Sequence, residues 1–181
     1  DTTRQPGSTF KILASYSAAL DAGGLTLASV QDDAPYTYAG ANGKSVSNYD
    51  KRYRGFTTLR EAITDSINIV TVKTLAQVGV SLGWQYVQEY GFTTVDSRDM
   101  NEALALGGIT PGVSNLELTA AYAAIANQGT YIKPKFYTKI LDHDGNVLID
   151  NTTPESHTVI KDTTAWLLTS AMEDVMTSGT G

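Results

Sequence analysis

A helix-rich lobe carrying one small β-hairpin is the fold class this sequence predicts, and three features predict it. An apolar stripe through Phe10, Ile12, Leu13, Tyr16, Ala19 and Leu20 recurs at helical spacing and stops at Gly23-Gly24. Two capping boxes, Thr58-Leu59-Arg60-Glu61 and Ser114-Asn115-Leu116-Glu117, each precede a further apolar run. A single stretch suits a hairpin, with strand-like residues on either side of Asp142-His143-Asp144-Gly145.

Taken in order, the first helix is expected from about Ser8 to Ala22. Residues 25–56 lack sustained periodicity and are rich in Gly, Asn, Ser, Asp and Tyr, which predicts a long exposed loop with short strands. From the Thr58 cap the helical pattern runs through Ile63 and resumes at Ile69, Val72, Leu75 and Ala76 before Gly79. The polar Asp65-Ser66-Ile67-Asn68 interrupts it, so a joint between two helices is expected there. Ser81 reads as the cap of a helix over Leu82 to Tyr90, stopped by Gly91. The Ser114 box opens an alanine-rich helix to about Asn127-Gln128-Gly129, suited to close packing. The hairpin spans Tyr131 to Asp150, with strands at Phe136–Leu141 and Val147–Ile149. A last helix runs from Asp162 to about Val175.

Composition narrows the functional classes. The chain has 181 residues, 41% of them hydrophobic and 18% charged, the balance of a folded globular domain. Thirteen basic against 19 acidic side chains give a net charge of −6. Beyond Lys51-Arg52-Tyr53-Arg54 there is no basic run, so nucleic-acid binding lacks electrostatic support. No apolar stretch approaches the roughly 20 residues that span a bilayer, and no signal-peptide pattern is present. Cysteine is absent, which excludes disulfides, thiol catalysis and cysteine metal sites. The chain opens on Asp1 without Met and closes on Ser178-Gly179-Thr180-Gly181 in mid-phrase. It is expected to be a piece of a longer protein.

The candidate chemistry lies at the first helix. Ser8 follows Pro6-Gly7, and Lys11 comes three residues later on the same helical face. With 13 serines and 8 lysines, spacing alone would supply such a pair about half a time by chance. Ser8 as a simple helix cap with Lys11 as a solvated charge is therefore the bland reading. The sharper one makes Ser8 a nucleophile whose alkoxide is favoured by a helix start. Lys11, among Phe10, Ile12 and Leu13, would be its base, provided desolvation lowers its pKa from about 10.4. Ser66 and Asn68 would receive the lysine's hydrogen bonds, with Ser66 as the second hydroxyl that relays the proton.

With these residues in order, the chain resembles the transpeptidase domain of class A penicillin-binding proteins. That family's signature is Ser-x-x-Lys, Ser-Asp-Asn and Lys-Thr-Gly. Here the first motif is Ser8-Thr9-Phe10-Lys11, preceded by Arg4-Gln5-Pro6-Gly7, and the second is Ser66-Ile67-Asn68. Similarity continues through Tyr16 to Gly23, Thr58 to Ala62, Ala105-Leu106-Gly107-Gly108 and Leu118 to Ala123. The resemblance implies an α+β fold of the penicillin-binding and serine β-lactamase kind. Residues 1–181 would be a partial transpeptidase domain, the helical lobe, with the central sheet largely outside it.

It further implies that Ser8 attacks the D-Ala-D-Ala carbonyl of a peptidoglycan stem peptide. Lys11 would take its proton, Ser66 would relay one to the leaving amine, and Asn68 would hold Lys11 and the substrate amide. An amine from a second stem would resolve the ester, and β-lactam antibiotics would acylate the same serine. No cofactor or metal is implied. The setting would be the extracytoplasmic face of a bacterial cell membrane, with anchoring through parts absent from this chain. None of the eight lysines is followed by Thr-Gly or Ser-Gly, so the third motif is missing and the chain alone is expected to be a poor catalyst.

Other readings stay beside this one. A serine β-lactamase shares the Ser/Lys logic, but no Glu lies in a Glu-x-x-Leu-Asn setting, and Glu117 belongs to a capping box. A β-lactam-sensing module would carry the same motifs. His143 and His157 read as ordinary surface residues. Asp142, Asp144 and Asp150 fit a hairpin turn better than a calcium loop. Tyr36, Tyr38, Tyr49 and Tyr53 either line a peptide or glycan groove or cover the core.

Overall fold

The first helix is the axis around which the rest packs. In the computed structural model, which describes residues 2–39 and 44–181, helical backbone covers residues 7–21. It is a 3-10 turn at Gly7–Thr9, a π-helix at Ile12–Tyr16 and an α-helix, α1, at Ser17–Asp21. Every residue from 10 to 19 is buried, so the expected stripe is part of a helix enclosed on all sides. Its polar side chains are paired inside the core. Ser15 Oγ donates to the Thr71 carbonyl at 2.9 Å, Tyr16 and Thr71 hydroxyls meet at 2.8 Å, and Ser17 and Tyr90 hydroxyls meet at 2.9 Å. Ser17 Oγ also donates to the Ile12 carbonyl, at 2.9 Å, where the π-helix closes.

Five α-helices follow: α2 (Leu59–Thr64), α3 (Asn68–Val78), α4 (Val80–Glu89), α5 (Asn115–Ala126) and α6 (Asp162–Thr177). Both capping boxes form as the sequence expects, with Thr58 and Ser114 each accepting from the third helical N–H while Glu61 and Glu117 reach back. The predicted joint separates α2 from α3. α3 and α4 flank the first helix, whereas α6 packs against α2 and α5. Phe10 and Phe92 meet edge to face at 5.0 Å inside the single core cluster.

The α4 start differs from expectation. Gly79, at φ +102°, occupies the cap, and its carbonyl accepts from the Leu82 and Gly83 N–H groups. Ser81 therefore lies inside the first turn and caps nothing. The sequence also gave no sign of two 3-10 turns, Ser97–Asp99 and Glu102–Leu106.

There is more β-structure than one hairpin. Among the described residues ten short strands pair two by two, all antiparallel. In chain order they are β1 (Thr3–Arg4), β2 (Val30–Asp33), β3 (Tyr36–Thr37), β4 (Ser45–Val46), β5 (Gly55–Thr58), β6 (Val113–Ser114), β7 (Thr130–Ile132), β8 (Lys139–Leu141), β9 (Val147–Asp150) and β10 (Ser156–Thr158). The segment 25–56 carries β2 paired with β5 and β3 paired with β4, as its short-strand reading expects; residues 40–43 of it lie outside the described residues. The hairpin is β8 with β9, its first strand shorter than expected and its second one residue longer. Residues 136–138 form no strand; beyond the last ladder pair the Asn151 N–H bonds the Thr138 carbonyl and its side chain the Tyr137 carbonyl. Tyr131 belongs to a separate pair, β7 with β10. Helices with small antiparallel ladders make the class α+β.

Gly83 fixes the approach of α4 to the first helix, since a Cβ there would overlap the Ala14 carbonyl and the Leu75 side chain. Gly83→Ala is expected to cost about 1–3 kcal/mol, the scale of core overpacking, read as a lowered denaturation midpoint with an unchanged denaturant slope.

Candidate active site

Three segments bring the site together. The residues before Ser8 are docked rather than loose. β1 pairs with β6, and the Gln5 side chain bonds the Ile109 backbone at both its N–H and its carbonyl. Gly107, at φ +73°, lies against Gly7, where a Cβ would fall 2.6 Å from the Gly7 oxygen. This explains why glycine stands at 107, at the end of a 3-10 turn packed on the Ser8 turn. Ser8 itself is exposed, within the 3-10 turn, and makes no capping bond there. The bland reading of Ser8 as a helix cap is thereby removed.

Lys11 is the second component, and it is only 3% exposed. Its Nζ lies 2.6 Å from the Ser66 carbonyl oxygen, 2.9 Å from Ser66 Oγ and 2.6 Å from Asn68 Oδ1. No carboxylate is within ion-pair distance of it among the described residues. Burial therefore pulls the Lys11 ammonium from the ordinary 10.5 down to about 8. As an ammonium Lys11 donates to all three of these oxygens. The Ser66 carbonyl and Asn68 Oδ1 can only accept, so once Lys11 loses its proton they take the two N–H groups that remain. The lone pair is then left to take a proton from a hydroxyl.

The third component is the joint between α2 and α3. Ser66 sits there in a left-handed conformation, φ +52°, which costs a non-glycine residue about 1–2 kcal/mol. That twist is what lets one residue present both its carbonyl and its hydroxyl to Lys11. Asn68 Nδ2 donates to the Ser47 carbonyl at 2.8 Å, which turns Oδ1 toward the lysine.

Ser8 and Ser66 lie on the walls of two adjoining cavities. One, of about 890 Å³, is lined mostly by polar residues and continues past Asn68 and Asn48 to Tyr49, Lys51 and Arg54. The other, of about 410 Å³, is lined by Lys11 together with Ile12, Tyr122, Met172 and Val175. Tyr16 and Tyr122 are the other titratable groups on its wall, and burial raises both phenols, Tyr122 to about 12. Tyr122 also donates to the Thr9 carbonyl at 2.6 Å, tying α5 to the Ser8 turn.

All four residues singled out from the sequence thus line one locus. Others do not reach it. His143 stands in the hairpin turn, His157 bonds the Glu89 carbonyl at 2.7 Å, and Glu117 is taken up by Ser114 and Thr93. Asp142 accepts from the Asp144 and Asn146 N–H groups, as a hairpin turn requires. Tyr36 and Tyr38 cover the core, whereas Tyr49 is on the cleft wall. Asp33, Ser47 and Asn48 carried no sequence signal, being isolated polar residues in an aperiodic segment.

Comparison with known proteins agrees with this geometry. The family described as the penicillin binding protein transpeptidase domain matches residues 1–181. The chain is 39% identical over 177 residues to penicillin-binding protein 1F of Bacillus subtilis (strain 168), covering 98% of this chain and 24% of that protein. It is 35% identical over 189 residues to penicillin-binding protein 1A of Streptococcus oralis, covering 100% of this chain and 29% of that protein. The chain spans about a quarter of the length of these curated relatives. Among solved structures, penicillin-binding protein 1A from Haemophilus influenzae superposes with a TM-score of 0.82 at 27% identity, covering 99% of this chain and 31% of that one. The imipenem acyl-enzyme complex of penicillin-binding protein A from M. tuberculosis has the same fold, with a TM-score of 0.83 at 21% identity, over 97% of this chain and 44% of that one.

The Lys11 environment has a thermodynamic consequence. An amine at 10.5 in the unfolded chain and about 8 in the folded one binds fewer protons when folded between those values. Stability therefore rises with pH across that window. Denaturation midpoints should show wild type gaining on Lys11→Met from pH 8 to 10.5; a constant difference would place the ammonium at its ordinary value.

Proposed function

This chain belongs to the penicillin-binding protein transpeptidase family, and we propose that it is the helical lobe of a serine D,D-transpeptidase domain that cross-links peptidoglycan stem peptides and is acylated by β-lactams. The observation that carries the reading is a lysine buried with no carboxylate beside it among the described residues, donating to Ser66 and Asn68 beside an exposed Ser8.

In this mechanism Ser8 Oγ forms a bond to the carbonyl carbon of the D-Ala-D-Ala amide while its proton passes to Lys11 Nζ. The helix start beside Ser8 favours the negative charge that develops. Collapse of the tetrahedral adduct breaks the C–N bond, and Ser66 Oγ hands the departing amine its proton, replenished from Lys11. The products are free D-Ala and an ester on Ser8. An amine from a second stem then attacks that ester, forming the cross-link amide and returning the proton to Ser8 by the same route. Asn68 keeps Lys11 in register and offers its side-chain amide to the substrate backbone. The cleft beyond Asn68 gives an extended peptide room to lie.

Residues 1–181 lack a Lys-Thr-Gly sequence, and the strand that bears it in this family belongs, in this reading, to the rest of a longer protein. So does the membrane anchor that would hold the domain on the extracytoplasmic face. No helix among the described residues is long and apolar enough to cross a membrane.

A fluorescent penicillin incubated with the full-length protein tests the assignment. A stable adduct is expected on the peptide containing Ser8, and none in Ser8→Ala. The acylation rate should climb with pH through about 8, the value to which burial brings Lys11, and Lys11→Ala should lower it on the order of 100-fold or more. The 181-residue chain alone should acylate on the order of 100-fold more slowly than the full-length protein, for want of the missing strand's oxyanion donor. Labelling that survives Ser8→Ala, or rapid release of the penicillin, would contradict the proposal.

A further inference from the structure

We propose that Asp33 and Asn48 are positioning residues for the reaction at Ser8, holding Ser66 and Asn68 where their oxygens meet Lys11; this rests on the roles just assigned to those four residues.

The starting point is a helix end with no cap of its own. The residue before α3 is Ile67, whose side chain can accept nothing, yet the first N–H groups of α3 need partners. Asn48, twenty residues away along the chain, supplies them. Its Oδ1 accepts from the Asn68 and Ile69 N–H groups, each at 3.1 Å. Its neighbour Ser47 accepts from Asn68 Nδ2. One loop therefore grips Asn68 by backbone and side chain together, and Ser66 lies two residues before that grip.

Asn48 is itself fixed by a buried carboxylate. Its Nδ2 lies 2.8 and 3.0 Å from the two oxygens of Asp33 and 2.8 Å from the Arg52 carbonyl. Asp33 is 0% exposed and Asn48 3%. Asp33 also accepts from the Arg54 N–H at 2.9 Å, with the Arg54 guanidinium at 3.9 Å. It ends β2, opposite Gly55 of β5. A rigid two-stranded ladder is thus linked through Asp33 and Asn48 to the start of α3, and through Asn68 to Lys11.

The chemistry explains the order of the chain of contacts. A carboxylate touching Lys11 directly would hold it as an ammonium, with no lone pair free to take the Ser8 proton. With two amide side chains interposed, Asp33 contributes an anchor and the amine next to Ser8 meets only neutral oxygens. The amide of Asn48 is required because it donates to Asp33 and accepts from α3 at once, which neither Asp nor Ala can do.

The test is acylation by a fluorescent penicillin in the full-length protein, followed across pH, for Asp33→Asn, Asn48→Asp and the double exchange. Asn48→Asp sets two buried carboxylates against each other, and Asp33→Asn sets two amides. Each single change is expected to slow acylation tenfold or more and to displace the rising limb of the pH profile. The double exchange restores an amide–carboxylate pair whose outer oxygen still accepts from α3, but it deprives the Arg52 carbonyl of its donor, so it should regain only part of the rate lost by Asn48→Asp. If Asn48→Asp does not fold, the isosteric Asp33→Asn carries the test, with thermal melting as the check on folding. Folded single variants with the wild-type rate and limb overturn the proposal, as does a folded double exchange no faster than Asn48→Asp. Absence of a Ser8 adduct in the wild type overturns the underlying assignment as well, whereas a Ser8 adduct indifferent to Asp33→Asn overturns this inference alone.

Discussion

An amine enclosed by the core and given only neutral oxygens for company is the constraint on which the rest of this structure turns. Removing an ammonium from water without an opposing carboxylate is costly, and proteins relieve that cost by letting the proton go. Here, among the described residues, the three oxygens around Lys11 Nζ come from Ser66 and Asn68. Much of the nearby architecture reads as what is needed to keep them there. The joint after α2 is twisted left-handed, α3 is capped from a distant loop, and the Ser8 turn is clamped by Gln5 and by the close approach of Gly107.

The two polar motifs were legible in the sequence because each is local. Three residues along a helix, or two across a turn, bring side chains together wherever the segment lies. The capping boxes were legible for the same reason, and so was the break at Asp65–Asn68, where polar residues interrupt an apolar stripe. Ser81 misled because a residue of the right type stood two positions too late, and a glycine with positive φ had already taken the cap. The left-handed Ser66 had no sequence signature, since that conformation is imposed by what surrounds it.

What could not be read is what depends on long-range pairing. β1 and β6 are two residues each and stand more than 100 positions apart, so no periodicity announces them. Asp33 and Asn48 are single polar residues in a segment whose composition says loop. Their meaning emerges only when the fold brings them against an uncapped helix. The hydrophobic pattern thus reported the helices, and left the small ladders that brace the site to tertiary contact.

The membership of the chain in the transpeptidase family and its internal geometry meet at Lys11. Family likeness covers the whole chain but says nothing of where a proton sits, whereas the burial of Lys11 lowers the pH at which that amine gives its proton up. Isotope-edited NMR of the Lys11 side chain, titrated in the folded protein and identified by its loss in Lys11→Arg, measures that directly. A midpoint near 8 is the outcome expected of an amine held by neutral oxygens and deprived of water. A midpoint at the ordinary 10.5 would mean that water or a counter-ion reaches it, and would contradict the account of how Ser8 is made reactive.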